Sequence, residues 1–494
     1  MSAATSHKGG AGERLMQVKT KIIATVGPAC ATPQKLEEMI KAGVDVFRLN
    51  FAHGSHAWLT EIVGHIRGIS TRLGRPLGIL GDLSGPKIRL HELPGGELAC
   101  VAGARIEFVR QANPQKPSQL TCTYDALVDD LQVGDQILLA DGAVSMRVIE
   151  KPPGEERVVC EVVQPGIIRN RQGINLPGAV LSTPSLTPKD REDLVWALDH
   201  QIDFIGLSFV RRAEDIEELQ QAIADLKPKQ VPQIVAKIEK MEAVNDLERI
   251  LAATDMVMVA RGDLGVEVDI ARVPGLQKRI VRLCNQHRIP VITATQMLDS
   301  MQKNIRPTRA EASDVANAVL DGSDAIMLSG ESAAGDYPVE AVNMMNRLAH
   351  EAERLRVYQS PHDISLAQVR SRALEVTEAV THGAGMVAEL LAANLIVIAT
   401  RTGKTALSVS NQRLQVPILG LTPYPEVASK MSLYWGVTPL IANLADATPQ
   451  QIVEFVVKWG QADGILKSGS KIVLIATSNW SARGHDQLLV HAIP

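Results

Sequence analysis

Five short runs decide the architecture: DFIGLSF (203–209), QIVAKIE (233–239), MVMVARG (256–262), PVITATQ (290–296) and AIMLSGE (325–331). Each is nearly continuous in apolar side chains rather than alternating, which suits strands buried on both faces, as in parallel sheets. Three more of the same kind come earlier: KIIATVG (21–27), DVFRLNF (45–51) and LGILGDL (77–83). Helix-period segments lie between them and carry start and stop signals. Thr32-Pro33 opens one and Gly43 closes it. Thr187, Pro188 and Asp190 supply an N-cap, a first-turn proline and an N3 acid. An amphipathic stretch from Thr308 to Leu320 stops at Gly322. Eight βα units predict an α/β fold, a (β/α)8 TIM barrel, with an open doubly wound sheet as the alternative.

The barrel pattern breaks between Lys87 and Pro184. There ARIEFVR, QILLAD and RVVCEVV are short alternating strands separated by Pro and Gly, which reads as a small all-β lid domain (88–184) inserted after the third strand. At that end of the barrel it sits over the mouth. A third character begins near residue 351: a helical stretch at about 370–393, then LIVIAT (395–400), VPILGLT (416–422), VTPLI (437–441), KIVLIAT (471–477) and QLLVHAI (487–493). This predicts a separate C-terminal α/β domain over 351–494, leaving 19–87 and 185–350 for the barrel and 1–18 for a polar, flexible tail.

Composition sets the boundaries of function. With 494 residues, 45% apolar and 21% charged, the chain is an ordinary globular sequence of several domains. Lys+Arg is 51 and Asp+Glu is 55, a net charge of −4, which argues against a nucleic-acid binder with a broad basic face. No apolar run approaches the ~18 residues of a membrane span, so no membrane partner is expected. The five cysteines are far apart with no C-x-x-C pair, so they read as small buried apolar residues in a reducing cytoplasm.

In a barrel, reactive residues sit at the C-terminal ends of the strands. Polar residues gather there: the second strand ends in Arg48, Asn50 and His53, the third in Asp82, the fifth carries Lys237 and Glu239, the sixth ends in Arg261, Gly262 and Asp263, the seventh offers Thr295 and Gln296, and the eighth Ser329 and Glu331. Any one of these could be a satisfied core group; their convergence on one mouth is hard to explain structurally. Glu239 and Asp263 suit Mg2+, which takes one or two carboxylates plus substrate oxygens. Arg48 and Lys237 could flank a phosphoryl group. A Lys237–Glu239 structural salt bridge is the plainer alternative.

Other patterns carry less. Gly383 to Ala388 matches G-x-G-x-x-A but lies inside a helical pattern, and Thr402-Gly403-Lys404-Thr405 lacks the first glycine of a P-loop, with Ile398 in its place. His53-Gly54-Ser55-His56 has no third zinc ligand nearby in sequence. The turn Thr400-Arg401-Thr402-Gly403-Lys404-Thr405 does follow a strand and open a helix. Its hydroxyls, glycine and cations make an anion cradle suited to a phosphorylated metabolite.

TKIIATVGPA (20–29), RLNFAHG (48–54), GDLSGPKIR (81–89), VAKIE (235–239), MVARGDLGVE (258–267), TATQML (293–298) and RPTRAEASDVANAVLDGSDAIMLSGESAAGDYP (306–338) together resemble the pyruvate kinases. The resemblance implies transfer of the phosphoryl group of phosphoenolpyruvate to ADP, giving pyruvate and ATP in glycolysis. It implies that Arg48 and Lys237 contact the transferring group, and that Glu239 and Asp263 hold one Mg2+ while a second travels with the nucleotide. Gly262, Asp263 and Thr295 then bind the carboxylate end of phosphoenolpyruvate, with Thr295 near the protonation step. Asn50, His53 and Arg89 fall on the nucleotide side. A homotetramer is implied, and the turn of Thr400, Thr402, Gly403, Lys404 and Thr405 matches the family's effector position.

The chain departs from the family at a few places. Ala52 stands where potassium-requiring members have Ser, and Asp82-Leu83-Ser84-Gly85-Pro86-Lys87 replaces D-T-K-G-P-E. Lys87 therefore reads as a fixed surrogate for the monovalent cation, and potassium is not expected to be required. Gln172 takes the place of a lysine expected to touch nucleotide phosphates, with Arg171 adjacent. The rival readings are a Mg2+-dependent barrel lyase acting on pyruvate or oxaloacetate through an enolate, and a catalytically silent sugar-phosphate sensor.

Overall fold

The computed structural model describes residues 18–113, 116, 118–140, 142–154, 156–179, 182–356, 375–444, 447–477 and 484–494, together with Leu15. The tail expected at 1–18 and the start of the helix expected near 370 therefore lie almost wholly outside the described residues.

The apolar runs form β1 (Lys21–Thr25), β2 (Val46–Asn50), β3 (Gly78–Asp82), β4 (Phe204–Leu207), β5 (Gln233–Ile238), β6 (Met256–Ala260), β7 (Val291–Ala294) and β8 (Ala325–Leu328). They close in the order β1-β8-β7-β6-β5-β4-β3-β2. Pairing of Lys21 with Ala325 through Ala24 with Leu328, parallel, makes the closure, so the open doubly wound sheet is excluded. Every residue of β1, β3 and β6 is buried, which is why their sequences do not alternate. The helix signals hold. Thr32 caps Pro33–Ala42, which ends at Gly43 with φ 124°. Thr187 and Asp190 form a reciprocal capping box on Pro188–Asp199, as Thr308 and Glu311 do on Arg309–Asp321. Each such cap contributes about 1 kcal/mol by satisfying amides that a helix start leaves open.

The interior is filled by Ile23, Val46, Leu80, Phe204, Val235, Met258 and Ile292, all buried. Gly78 makes room for Phe204: a Cβ on it would lie 2.8 Å from the Phe204 ring. The runs overreach the strands at their C-terminal ends. β6 stops at Ala260, and Arg261–Glu267 is a short helix, so Gly262 and Asp263 lie in its first turn rather than on the strand. β5 ends one residue before Glu239, and β7 ends before Thr295 and Gln296, which turn away with φ 68° and 53°.

Between β3 and β4 the chain builds the lid. Its main sheet runs Ile174–Asn175, Gln136–Leu139, Val144–Glu150, Arg157–Gln164, Arg105–Val109 and Gln119–Leu120, with Gly166–Arg169 paired separately on Glu97–Cys100. All are antiparallel except the Arg105–Val109 and Gln119–Leu120 pair. The lid has its own core around Phe108, Ile137, Met146 and Cys160.

The C-terminal unit holds β9 (Leu395–Ala399), β10 (Ile418–Thr422), β11 (Val437–Ile441), β12 (Lys471–Ala476) and β13 (Gln487–Ala492) in the order β11-β10-β9-β12-β13, with only β13 antiparallel. Gly383 lies within the helix Glu375–Leu390, so it opens no dinucleotide site. This unit packs on the end of the barrel where the strands begin. Lys21 Nζ donates to the Val437 carbonyl (2.6 Å), Gln233 Nε2 to the Tyr434 hydroxyl (3.3 Å), and Arg413 pairs with the fully buried Asp324 (2.6 Å). With that end covered, the strands' other ends face the lid, where Arg211 Nη2 donates to the Thr183 carbonyl. All five cysteines are free and buried, and burial raises the Cys30 and Cys122 thiols to about 11, so they are packing residues. Among the described residues, no helix is long and apolar enough to cross a membrane.

Candidate active site

A chain of charges crosses the mouth of the barrel. Arg48, at the end of β2, donates through Nε (2.7 Å) and Nη2 (2.6 Å) to Asp82 Oδ2 at the end of β3. Lys237 Nζ, on β5, lies 3.3 Å from Asp82 Oδ1 and 2.9 Å from Glu239 Oε1. It also donates to Ser208 Oγ at 2.6 Å, and that hydroxyl in turn donates to the Leu83 carbonyl. Arg48 Nη1 donates to Thr25 Oγ1 at 3.1 Å. Thr25 and Ser208 close β1 and β4, the two strands with no polar ending assigned from sequence. Their hydroxyls hold the two cations in place. A hydroxyl at a strand end is too common a feature to have singled them out.

Burial opposes the charge on Lys237, but Asp82 and Glu239 more than offset it and hold its pKa above the ordinary lysine value. Burial also works against an ionised Asp82, yet Lys237 and Arg48 overcome this and its pKa is lowered. Glu239 goes the other way. Burial raises its pKa, Lys237 pulls it down, and the nearby Asp263 carboxylate pushes it up again. Arg48 and Lys237 thus neutralise Asp82 and part of Glu239, and Asp263 is left over. Its carboxylate makes no hydrogen bond among the described residues. Two cations against three carboxylates leave a deficit of positive charge at Glu239 and Asp263, and an oxygen-only donor pair of that kind fits a hard divalent cation. The Lys237–Glu239 salt bridge exists, as part of this cluster rather than instead of it.

Thr295 is held in an unusual conformation. A φ of 68° is rare for a β-branched residue and costs on the order of 1–3 kcal/mol. Arg261 holds it there, donating to the Thr295 carbonyl at 2.6 Å while paired with Asp314 at 2.7 Å. The Thr295 hydroxyl accepts from the Gly262 N–H (2.8 Å) and donates to the Ala294 carbonyl. Gly262, expected to offer its amide to a ligand, spends it on Thr295.

Several strand-end residues serve the fold. Glu331 is buried and accepts from the Leu298 and Ser329 amides. His56 pairs with Asp193, and Ser55 caps the helix His56–Leu73, so neither belongs to a zinc site. Asn50 Oδ1 accepts from the Ala52 amide and the His53 amide donates to the Asn50 carbonyl, which shapes the turn after β2. Arg89 lies where the chain enters the lid, pairing with Gly173 and donating to the Arg171 carbonyl. Lys87 is exposed at that crossing, without an ion pair among the described residues. In the C-terminal unit, Thr400 Oγ1 accepts from the Gly403 amide, Gly403 has φ 77°, and Thr405 Oγ1 contacts His485 Nδ1 at 2.8 Å. The cradle expected at 400–405 is therefore a formed turn, with Thr402 and Lys404 exposed.

A closed barrel with paired cations and carboxylates at its mouth, a β lid and a separate α/β unit defines a barrel enzyme suited to anionic substrates. The family model for the pyruvate kinase barrel domain matches residues 17–342, and that for the pyruvate kinase alpha/beta domain matches 378–491. Curated relatives include the pyruvate kinases of Bacillus licheniformis, 40% identical over 96% of this chain and 80% of that one, and Staphylococcus saprophyticus, 42% identical over 95% and 80%. A solved pyruvate kinase from Cryptosporidium parvum superposes with a TM-score of 0.91 at 34% identity, covering 98% of this chain and 97% of that one. The chain belongs to the pyruvate kinase family, whose members transfer the phosphoryl group of phosphoenolpyruvate to ADP and need a divalent metal to do so. The barrel-lyase alternative is set aside.

Proposed function

We propose that the charge chain Arg48–Asp82–Lys237–Glu239, with Asp263 beside it, is the phosphoryl-transfer centre, and that the carboxylate left over at Asp263 is the observation that carries this reading. Arg48 and Lys237 flank the transferring group and offset the charge that spreads over its oxygens. Glu239 and Asp263 would hold Mg2+, which supplies Lewis-acid stabilisation to substrate oxygens when bound; a second Mg2+ accompanies the nucleotide. Lys237, held by Asp82 and Glu239, acts through its charge on the transferring group and on the enolate left behind. Asp263 and Thr295 orient the carboxylate end of phosphoenolpyruvate, with Thr295 on the side where the enolate is protonated and Gly262 contributing through the amide that holds the Thr295 hydroxyl. Asn50, His53 and Arg89 face the nucleotide. The lid over 88–184 closes on the barrel of 19–87 and 185–350 to exclude water, and 351–494 regulates. The working form is a cytoplasmic homotetramer.

Potassium is not required in this reading. Lys87 carries a fixed ammonium near the monovalent-cation position, and Ala52 and Leu83 have no side-chain oxygen to bind an ion. In tetramethylammonium buffer free of sodium and potassium, activity is expected to stay within about twofold of its value with K+, as for any group whose charge is already supplied. A large stimulation by K+ would contradict this.

The turn of Thr400, Thr402, Gly403, Lys404 and Thr405 takes a sugar phosphate, or a nucleotide monophosphate, as effector. Activation requires that the effector and phosphoenolpyruvate tighten each other's binding by the same factor, of about 5–150 in known cases. Replacing Thr402, Lys404 and Thr405 together by Ala is expected to abolish activation at subsaturating phosphoenolpyruvate; undiminished activation would place the effector elsewhere.

A further inference from the structure

The turn after β2 and the first crossing into the lid are gripped from below by one helix. In Pro188–Asp199, Lys189 Nζ donates to the Phe51 carbonyl at 2.8 Å, next to Asn50 and two residues before His53. Asp193, with a side chain only 2% exposed, holds that lysine through Oδ2 (2.5 Å) and accepts from His56 Nε2 through Oδ1 (2.8 Å). The same helix also meets this turn through Trp196. The Phe51 ring meets Trp196 edge-on at 5.6 Å, and His56 stacks on Trp196 at 5.5 Å. One turn earlier, Asp190 Oδ1 accepts from the Gly85 amide at 3.1 Å, fixing the strand-exit glycine two residues before Lys87. None of these side chains belongs to the charge chain at the mouth. What they share is the backbone that presents Asn50, His53 and the segment leading to Arg89.

We propose that Asp193, acting through Lys189, is a positioning residue for the nucleotide half of the site. The proposal rests on the assignment of Asn50, His53 and Arg89 to the nucleotide side. A charge-assisted bond to one backbone carbonyl is an economical way to set a loop, because it fixes the carbonyl's direction and leaves the loop's side chains free for ligand. The side chains of the phosphoryl end are held by one another, Arg48 and Lys237 on Asp82. The turn reaches them through backbone, the Phe51 amide donating to the Asp82 carbonyl at 3.2 Å, so loosening the turn weakens the nucleotide more than phosphoenolpyruvate.

The test is a split between the two substrates. Lys189→Met and Asp193→Asn, purified at full length, are expected to raise the KM for ADP about tenfold, the loss of one charge-assisted hydrogen bond. The KM for phosphoenolpyruvate should stay within about twofold of wild type, as for sites that do not share partners. Lys189→Arg, which keeps a donor to the Phe51 carbonyl, should restore most of the loss. Lys189 is half exposed, so its variants fold even if Asp193→Asn does not. His53→Ala is run alongside. If His53→Ala leaves the KM for ADP unchanged, the nucleotide-side assignment is wrong and the proposal falls with it. If His53→Ala raises it and Lys189→Met does not, or if Lys189→Met raises both KM values equally, the positioning role alone is overturned.

Discussion

Lys237→Met is expected to lose about 10²–10³-fold in kcat while still binding Mg2+ and phosphoenolpyruvate. The ammonium counts most while the phosphoryl group is in flight, so its removal falls on kcat more than on KM. The structure adds a second consequence. Lys237 neutralises parts of Asp82 and Glu239, and stripping one partner from a buried ion pair commonly costs about 3–5 kcal/mol. Arg48 still covers Asp82, and Glu239 can take up a proton, so the loss in stability should fall at the lower end of that range. Thermal unfolding measured beside kcat separates the two effects. A folded Lys237→Met protein with near wild-type kcat would show that Lys237 is a structural salt-bridge residue.

Glu239→Gln should be nearly as damaging, through the metal. Glu239 Oε2 accepts from the Phe209 amide at 2.6 Å, and the amide oxygen of glutamine can keep that bond, so the fold should tolerate the change. What is lost is the anionic ligand. Outer-shell changes already cost about 10–100-fold in metal affinity, so a direct ligand should shift half-saturation by Mg2+ at least about 100-fold. A titration of activity against Mg2+ reads this directly; an unchanged midpoint would remove Glu239 from the metal site. Asp263→Asn should shift the same midpoint, and the fold should tolerate it too, since Asp263 is less buried than Glu239.

The barrel could be read because strands buried on both faces advertise themselves as unbroken apolar runs, and because Thr32, Thr187 and Thr308 announce their helices. The charged members of the site could be read for a related reason. An arginine, lysine or glutamate at the end of such a run is costly to bury, so several of them converging on one mouth point to a site even though one alone can be a brace. Hydroxyls and backbone groups have many plain structural uses. Thr25 and Ser208, which hold Arg48 and Lys237, passed unnoticed for that reason, and so did the Phe209 amide on Glu239. Sequence also cannot tell whether polar residues after an apolar run extend the strand or open a helix, which is why Arg261, Gly262 and Asp263 read as the end of β6 although they form the first turn of the next helix. Gly262 shows a further limit: a glycine marks a backbone amide that could approach a ligand, but only coordinates show that the amide is already taken by Thr295. Glu331, equally prominent in sequence, proves to be a buried brace for the Leu298 and Ser329 amides.

The most direct test of the central claim is pyruvate formation from phosphoenolpyruvate, followed with and without ADP in the presence of Mg2+. A phosphoryl-transfer centre built on Arg48, Lys237, Glu239 and Asp263 predicts pyruvate and ATP in equal amounts with ADP, and almost no pyruvate without it. Equal rates of pyruvate release in both arms, or release without matching ATP, would contradict the account.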